Sequence, residues 1–258
     1  MTDCHVHLQY KDYAEDLLAV LARARAAGVR RFIAIGTEMA STRAGIKLAE
    51  AEPDVLATVG VRATLHPTEA QFAKLSEMAK NPKVVAIGEV GFDVYQTDVA
   101  QAARSLERQK ATLRGWRKMA EAVGKPLILH LRAPALDVYR LALSELVGVK
   151  VKVVSHCFSG DAGQAANLLK AGWYLSFAGN LTYKKNDRLV EAAGLAFGEG
   201  QLLLETDGPY LPPEGHRGER NEPAYIMKTA GYLADRLGVP LGEIEAAVDT
   251  AAAKVFGV

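Results

Sequence analysis

Thr2-Asp3-Cys4-His5-Val6-His7-Leu8 stands at the start of the chain. As a strand this run alternates, so Asp3, His5 and His7 share one face and Cys4 points to the other. Two imidazoles at that spacing can grip one metal ion. A hydrogen-bonded core pair would show the same pattern, so the partners that the rest of the chain supplies must decide between the readings.

Seven further apolar runs follow: Arg31–Gly36, Val55–Val61, Val84–Val90, Pro126–Leu131, Val149–Cys157, Trp173–Phe177 and Gln201–Thr206. Helical patterns separate them: Tyr13–Ala27, Ser41–Ala51, Glu69–Lys80, Ala100–Val123, Ala135–Leu146, Gly163–Ala171 and Asn186–Ala196. Ala224–Leu237 and Leu241–Phe256 come after the last run. Eight strands alternating with helices over 258 residues predict an α/β fold, a (β/α)8 TIM barrel forming one domain over residues 1–258. The alternative is an open doubly wound sheet; the count of eight favours closure.

The placement of polar residues favours closure too. His5 and His7 end the first run, Glu89 the fourth, His130 the fifth and His156 the sixth, while Asp207 follows the eighth. In a barrel those ends share one rim, where barrel active sites lie. Four of the chain's six histidines belong to this set. Together the donors suit two divalent metal ions. His5, His7 and Asp207 would hold the first, His130 and His156 the second, and Glu89 would bridge them through its two oxygens. Two ions about 3.5–4 Å apart activate water and stabilise a leaving oxygen. Asp207 and Glu89 are the catalytic candidates, with Asp207 also placed to take the proton of the attacking water.

Composition sets outer bounds. Hydrophobic residues make up 49% of the chain, enough for a large core. A net charge of +1 excludes a global basic field, so a polyanionic substrate would need metal ions and a few local Arg or Lys. Two cysteines, Cys4 and Cys157, offer no disulfide framework and read as small packing residues. No apolar run reaches membrane-spanning length, and no signal-peptide pattern precedes the first histidines. These features predict a cytoplasmic protein without a membrane partner. The oligomeric state is open, with a monomer as the working expectation.

Six segments carry a family resemblance. They are Asp3-Cys4-His5-Val6-His7, Gly88-Glu89-Val90-Gly91-Phe92-Asp93, His130-Leu131-Arg132, Ser155-His156-Cys157-Phe158-Ser159-Gly160, Glu205-Thr206-Asp207-Gly208-Pro209-Tyr210-Leu211 and Arg220-Asn221-Glu222-Pro223. In this order they resemble the motifs of the TatD family, metal-dependent deoxyribonucleases of the amidohydrolase superfamily. The resemblance covers essentially the whole chain. It implies a (β/α)8 barrel, divalent metals and phosphodiester hydrolysis, in several members with 3′–5′ exonuclease polarity. The family's metal ligands map onto His5, His7, Glu89, His130, His156 and Asp207. There are departures. Where the family often has Gly-x-His-Pro-His, this chain runs from Gly60 through Arg62 to His66-Pro67-Thr68, with a short insertion and Thr68 in place of the second histidine. Val94 and Gln96 stand for a usual Tyr and Arg, with Tyr95 nearby, and Leu131 stands for a common Cys. These changes bear on substrate contacts rather than on the ligands.

Around the ligands, Arg132 lies two residues beyond His130 and should face the same side, where a guanidinium suits a phosphate or a rim salt bridge. Glu205 and Asp3 share faces with ligands and would orient them. Asp93 would anchor the loop after Glu89. His66 is a candidate contact to a phosphate or a base edge. Arg217, Arg220 and Asn221, in the loop after the last strand, are candidates for a phosphate clamp or an ordinary solvated loop. Tyr210 is either a base-stacking platform or a structural neighbour of Pro209. The Arg-rich stretch Leu106–Arg117 reads as a solvated helix face.

These readings converge on a metal-dependent phosphodiesterase acting on DNA, at single-stranded or frayed ends, with Mg, Mn or Zn. Two rivals remain. One is a metal-dependent ester or amide hydrolase on the same site, such as the D-aminoacyl-tRNA deacylases reported among family relatives. The other is a non-catalytic nucleic-acid-binding barrel.

Overall fold

The computed structural model describes residues 1–95 and 98–258. Its strands are β1 (Thr2–Val6), β2 (Arg31–Ala34), β3 (Val55–Val59), β4 (Val84–Asp93), β5 (Leu127–Arg132), β6 (Val153–Ser155), β7 (Tyr174–Phe177) and β8 (Leu202–Leu204). They form one sheet in chain order, each parallel to the next. Strands covered on both faces read as continuous apolar runs, and Leu202, Leu203 and Leu204 are all fully buried. The helices α1 (Leu17–Ala26), α2 (Met39–Ala51), α3 (Glu69–Met78), α4 (Val99–Val123), α5 (Val138–Glu145), α6 (Ala162–Lys170) and α7 (Asp187–Gly198) each join one strand to the next. Two more, α8 (Ile226–Leu237) and α9 (Leu241–Phe256), follow β8. This is the (β/α)8 TIM barrel expected from the alternation. No helix among the described residues is long and apolar enough to cross a membrane.

Closure between the first and last strands falls at the carboxyl rim. The amide of Asp207 donates to the carbonyl of His5 at 2.9 Å, and that of His7 to Gly208 at 2.8 Å. Deeper in the seam, Asp3 accepts from the Thr206 amide at 3.0 Å and from its hydroxyl at 2.6 Å. Asp3 is wholly buried, and burial raises its carboxyl to about 7, against the opposing pull of those two bonds. A side chain here completes a ladder that the short β8 leaves unfinished.

Several element boundaries differ from the sequence pattern, each for a local reason. β6 is shorter than Val149–Cys157 because the Val149 amide turns back to Leu146 and Cys157 leaves the strand at φ 44°. The first helix begins at Leu17 rather than Tyr13; a 3₁₀ turn over Lys11–Tyr13 precedes it, and the buried Tyr13 hydroxyl donates to the Asn221 carbonyl. α5 starts at Val138 because the Asp137 carboxylate caps the Arg140 amide. β4 runs on past Val90 to Asp93, so Glu89 lies within the strand rather than at its end. That strand passes close to its neighbours. A Cβ on Gly60 would lie 2.2 Å from the Gly88 carbonyl carbon, and one on Gly91, at φ +129°, would lie 2.4 Å from the His130 carbonyl oxygen. Glycine at both positions is what lets β4 bring Glu89 up beside His130.

Candidate metal centre and substrate cleft

At the carboxyl rim lies a cleft of about 310 Å³ whose floor includes His7, Glu89, His130, His156 and Asp207. β1 delivers His5, with His7 directly after its last residue, β4 delivers Glu89, and β5 delivers His130. His156 follows β6 directly, and Asp207 sits three residues beyond β8 in the left-handed region at φ 54°. The six sequence-predicted ligands thus come together. His5 Nε2 stands 3.3 Å from Glu89 Oε2 and 3.6 Å from Asp207 Oδ1. His7 Nε2 stands 3.3 Å from Asp207 Oδ1 and 3.9 Å from Glu89 Oε2. On the other side, His130 Nδ1 is 3.7 Å from Glu89 Oε1 and 3.0 Å from His156 Nε2. Glu89 therefore turns one oxygen to the His5–His7 pair and the other to His130.

Glu205 and Asp3 act behind this layer. Glu205, fully buried, accepts from His156 Nδ1 at 3.0 Å and from the Cys157 amide at 2.9 Å. The His5 and His156 rings stack with centroids 3.8 Å apart. Their charge states diverge. Burial, and then the neighbouring His156 charge, lower His5 to about 3, so it is neutral. Burial would also lower His156, but Glu205, through its charge and hydrogen bond, raises it to about 9. For Glu89 the burial cost is outweighed by His5, His130 and His156, which hold its carboxyl well below the usual range.

The donor chemistry fits divalent cations. Both ring nitrogens of His5, Nδ1 of His7 and Nε2 of His130 are buried without a hydrogen-bond partner among the described residues. Buried polar atoms are rarely left so, and a cation that accepts lone pairs is one resolution. Three sets bring their donor atoms within 4.8 Å of one another: His5, His7 and Glu89; Glu89, His130 and His156; and His5, His156 and Glu205. The first two share Glu89. Imidazole with carboxylate suits Zn, Mn and similar ions, while carboxylate and phosphate oxygens also suit Mg.

The remaining predicted residues divide. Arg132 is exposed in the cleft wall, its guanidinium 4.4 Å over the Tyr95 ring. Asp93, beside His130 Nε2 at 3.7 Å, lines the same cleft. His66, Arg220 and Asn221 are not brought to the cleft wall. The insertion after Arg62 carries His66 outward, where its Nδ1 lies 3.2 Å from Thr112 Oγ1 of α4. Arg220 is held by Asp16 and Glu222 at 2.8 Å and packs over Tyr13. Asn221 is fully buried and donates to the carbonyls of Thr206 and Tyr210, fastening the loop that carries Asp207. Arg217 covers the Tyr183 ring at 4.5 Å. Gln96 lies outside the described residues.

Sequence reasoning passed over Tyr10, Thr37 and Arg62, which also line the cleft. Tyr10 stacks on His7 with centroids 4.5 Å apart, and its hydroxyl lies 2.8 Å from Thr37 Oγ1. Burial raises the Tyr10 phenol to about 12. The signal was available: all three stand a few residues past the ends of β1, β2 and β3, on the rim that the ligands define.

A family model described as TatD related DNase matches residues 2–257. The chain is 34% identical to an uncharacterized metal-dependent hydrolase TatD of Mycobacterium tuberculosis, over 100% of this chain and 98% of that protein. It is 32% identical to a protein named 3'-5' ssDNA/RNA exonuclease TatD from Edwardsiella piscicida, over 91% of this chain and 90% of the relative. Among solved structures, the TatD homolog YjjV of Escherichia coli superposes with a TM-score of 0.88 at 28% identity, covering 100% of this chain and 98% of that one.

Proposed function

Because the chain belongs to the TatD-related DNase family of metal-dependent hydrolases, we propose that its reaction is hydrolysis of DNA phosphodiester bonds from a 3′ end. The observation that carries this reading is Glu89, with Oε2 3.3 Å from His5 and Oε1 3.7 Å from His130. One carboxylate between two imidazole groups is the arrangement a pair of cations asks for. Two divalent ions, Mg, Mn or Zn, would sit on either side of it, held by His5, His7 and Asp207 and by His130 and His156. When bound, such ions supply Lewis acidity to the phosphoryl oxygens and lower the pKa of water.

The chain's own groups do the rest. Asp207 turns Oδ1 to the imidazoles of His5 and His7, which leaves Oδ2 to accept the proton of the attacking water. The water oxygen bonds to phosphorus, the P–O3′ bond breaks, and O3′ leaves with a proton. Arg132, with no carboxylate partner among the described residues, offers a two-pronged donor to a phosphate of the bound strand rather than to the cations' side of the cleft. A cleft of about 310 Å³ suits one nucleotide at a single-stranded or frayed end better than an intact duplex. Cys4 and Cys157 are free thiols, consistent with work in the reducing cytoplasm.

The test is parallel incubation of metal-loaded and chelated protein with a 5′-labelled single-stranded oligonucleotide, a simple ester and D-aminoacyl-tRNA. The reading expects a metal-dependent ladder of products shortened from the 3′ end. Turnover of the ester or the aminoacyl-tRNA with an intact oligonucleotide would transfer the site to ester hydrolysis. Metal binding with no turnover on any arm would leave a binding barrel.

A further inference from the structure

We propose that Arg62 and Arg132 form a second phosphate seat in the cleft wall, which holds the phosphate next to the one being cleaved. The proposal rests on the phosphodiesterase reading above and extends it to how a strand is gripped.

Arg62 has no hydrogen bond or ion pair from its side chain among the described residues, whereas Arg23, Arg25, Arg114, Arg220 and Arg236 are each paired with a carboxylate. An unpaired guanidinium fixed over a cleft is a ligand site in waiting. Arg62 is fixed at its base: its amide donates to the Thr37 carbonyl at 2.9 Å, and its neighbours Val61 and Ala63 are buried at 5% exposure each. Val61 and Ala63 anchor the backbone, so the exposed side chain between them is presented to the cleft it lines. Arg132 is likewise free of carboxylates, and Tyr95 orders it through a ring contact at 4.4 Å and a hydroxyl at 3.3 Å.

Height separates this seat from the floor. Arg132 lies two residues beyond His130 on β5, about 6.6 Å of strand further from the barrel centre. The floor, with Glu89, Asp207 and the imidazoles, is built for cations and the phosphate they bind, and Asp93, the register partner of Arg132, turns its carboxylate to His130 Nε2 at 3.7 Å. The wall one layer up is built for an anion, and a strand of nucleic acid presents its next phosphate to it. Tyr95 and Tyr210, 57% and 52% exposed in the same wall, give the intervening base a surface to stack on.

The experiment compares wild type with Arg62→Ala and Arg62→Lys on two substrates: the dinucleoside monophosphate dTpdT, with one phosphate, and a dT oligonucleotide, with many. Metal-loaded protein is used for kcat/KM. Binding of the same oligonucleotide is measured against salt with chelated protein. Arg62→Ala is expected to lose about 10–100-fold in kcat/KM on the oligonucleotide, the worth of one charge-assisted bond, and little on dTpdT. Its log–log salt slope for binding should shrink by about 0.7, one phosphate contact fewer. Arg62→Lys should recover part of both. Equal losses on the two substrates, or no loss on either with an unchanged slope, would overturn the proposal. If wild type cleaves neither substrate yet the slope still shrinks in Arg62→Ala, hydrolysis falls and the phosphate seat stands. A wild type that neither cleaves nor binds the oligonucleotide contradicts both.

Discussion

The backbone amide of Asp207 donates to the carbonyl of His5 across 2.9 Å, and the two side chains meet again 3.6 Å apart in the cleft. The first and last strands of the barrel are thus joined by the same residues that would share a metal ion. Site geometry and barrel closure depend on one seam, so a change there should register in both stability and metal binding.

Thr206→Val tests the seam. The substitution keeps the shape and removes the hydroxyl that donates to Asp3 Oδ2 at 2.6 Å. Leaving that buried carboxylate short of a donor should cost about 1–3 kcal/mol. Urea denaturation should show a lower midpoint with an unchanged slope. A midpoint equal to wild type would mean that the Thr206 hydroxyl contributes nothing to closure.

Glu205→Gln tests the support behind His156. The carboxylate holds His156 Nδ1 and the Cys157 amide on one oxygen, Oε1, and glutamine keeps an accepting oxygen there but removes the negative charge that acts on the imidazole. Metal affinity is expected to fall about 10–100-fold, read by calorimetric titration, with the circular dichroism spectrum preserved. Undiminished affinity would place Glu205 outside the metal site's design.

Gly91→Ala should act through the backbone. Its Cβ would meet the His130 carbonyl oxygen at 2.4 Å from a φ of +129°. Residues held in such regions cost about 1–3 kcal/mol before any collision is counted. We expect a lower melting temperature and a selective loss of the ion nearest His130 by elemental analysis. Full metal content at wild-type stability would show that β4 can shift without consequence.

The barrel was legible because its strands are buried on both faces and therefore announce themselves as apolar runs broken by helical periodicity. The six convergent donors were legible for a related reason: on a barrel, position along the chain converts directly into position on the rim. Contacts made by loops were not. Arg220 looks like a phosphate clamp in sequence, but Asp16, 204 positions away, takes its guanidinium at 2.8 Å. Asn221 spends its amide on two carbonyls of the Asp207 loop, which only the fold brings into reach. His66 sits beyond an insertion whose length, not composition, carries it off the cleft. Arg62 was hidden by the opposite error, a residue without a motif standing where the geometry needs a charge.

Asp207→Asn separates ligand from base. It keeps a ligating oxygen and removes the charge and the basicity. The variant should retain much of its metal and its oligonucleotide binding, while single-turnover cleavage falls by about 10²–10⁴-fold. Cleavage within a fewfold of wild type, with metal retained, would take Asp207 out of the proton transfer.

The most direct measurement is cleavage of a 5′-labelled single-stranded oligonucleotide by chelated protein as a divalent ion is returned stepwise. The account expects no cleavage from the chelated chain and full activity only after two equivalents of ion per chain, with Glu89→Gln failing to recover at any equivalence. Cleavage that survives chelation, or that saturates with a single equivalent and is indifferent to Glu89, would contradict a two-cation centre bridged by that carboxylate.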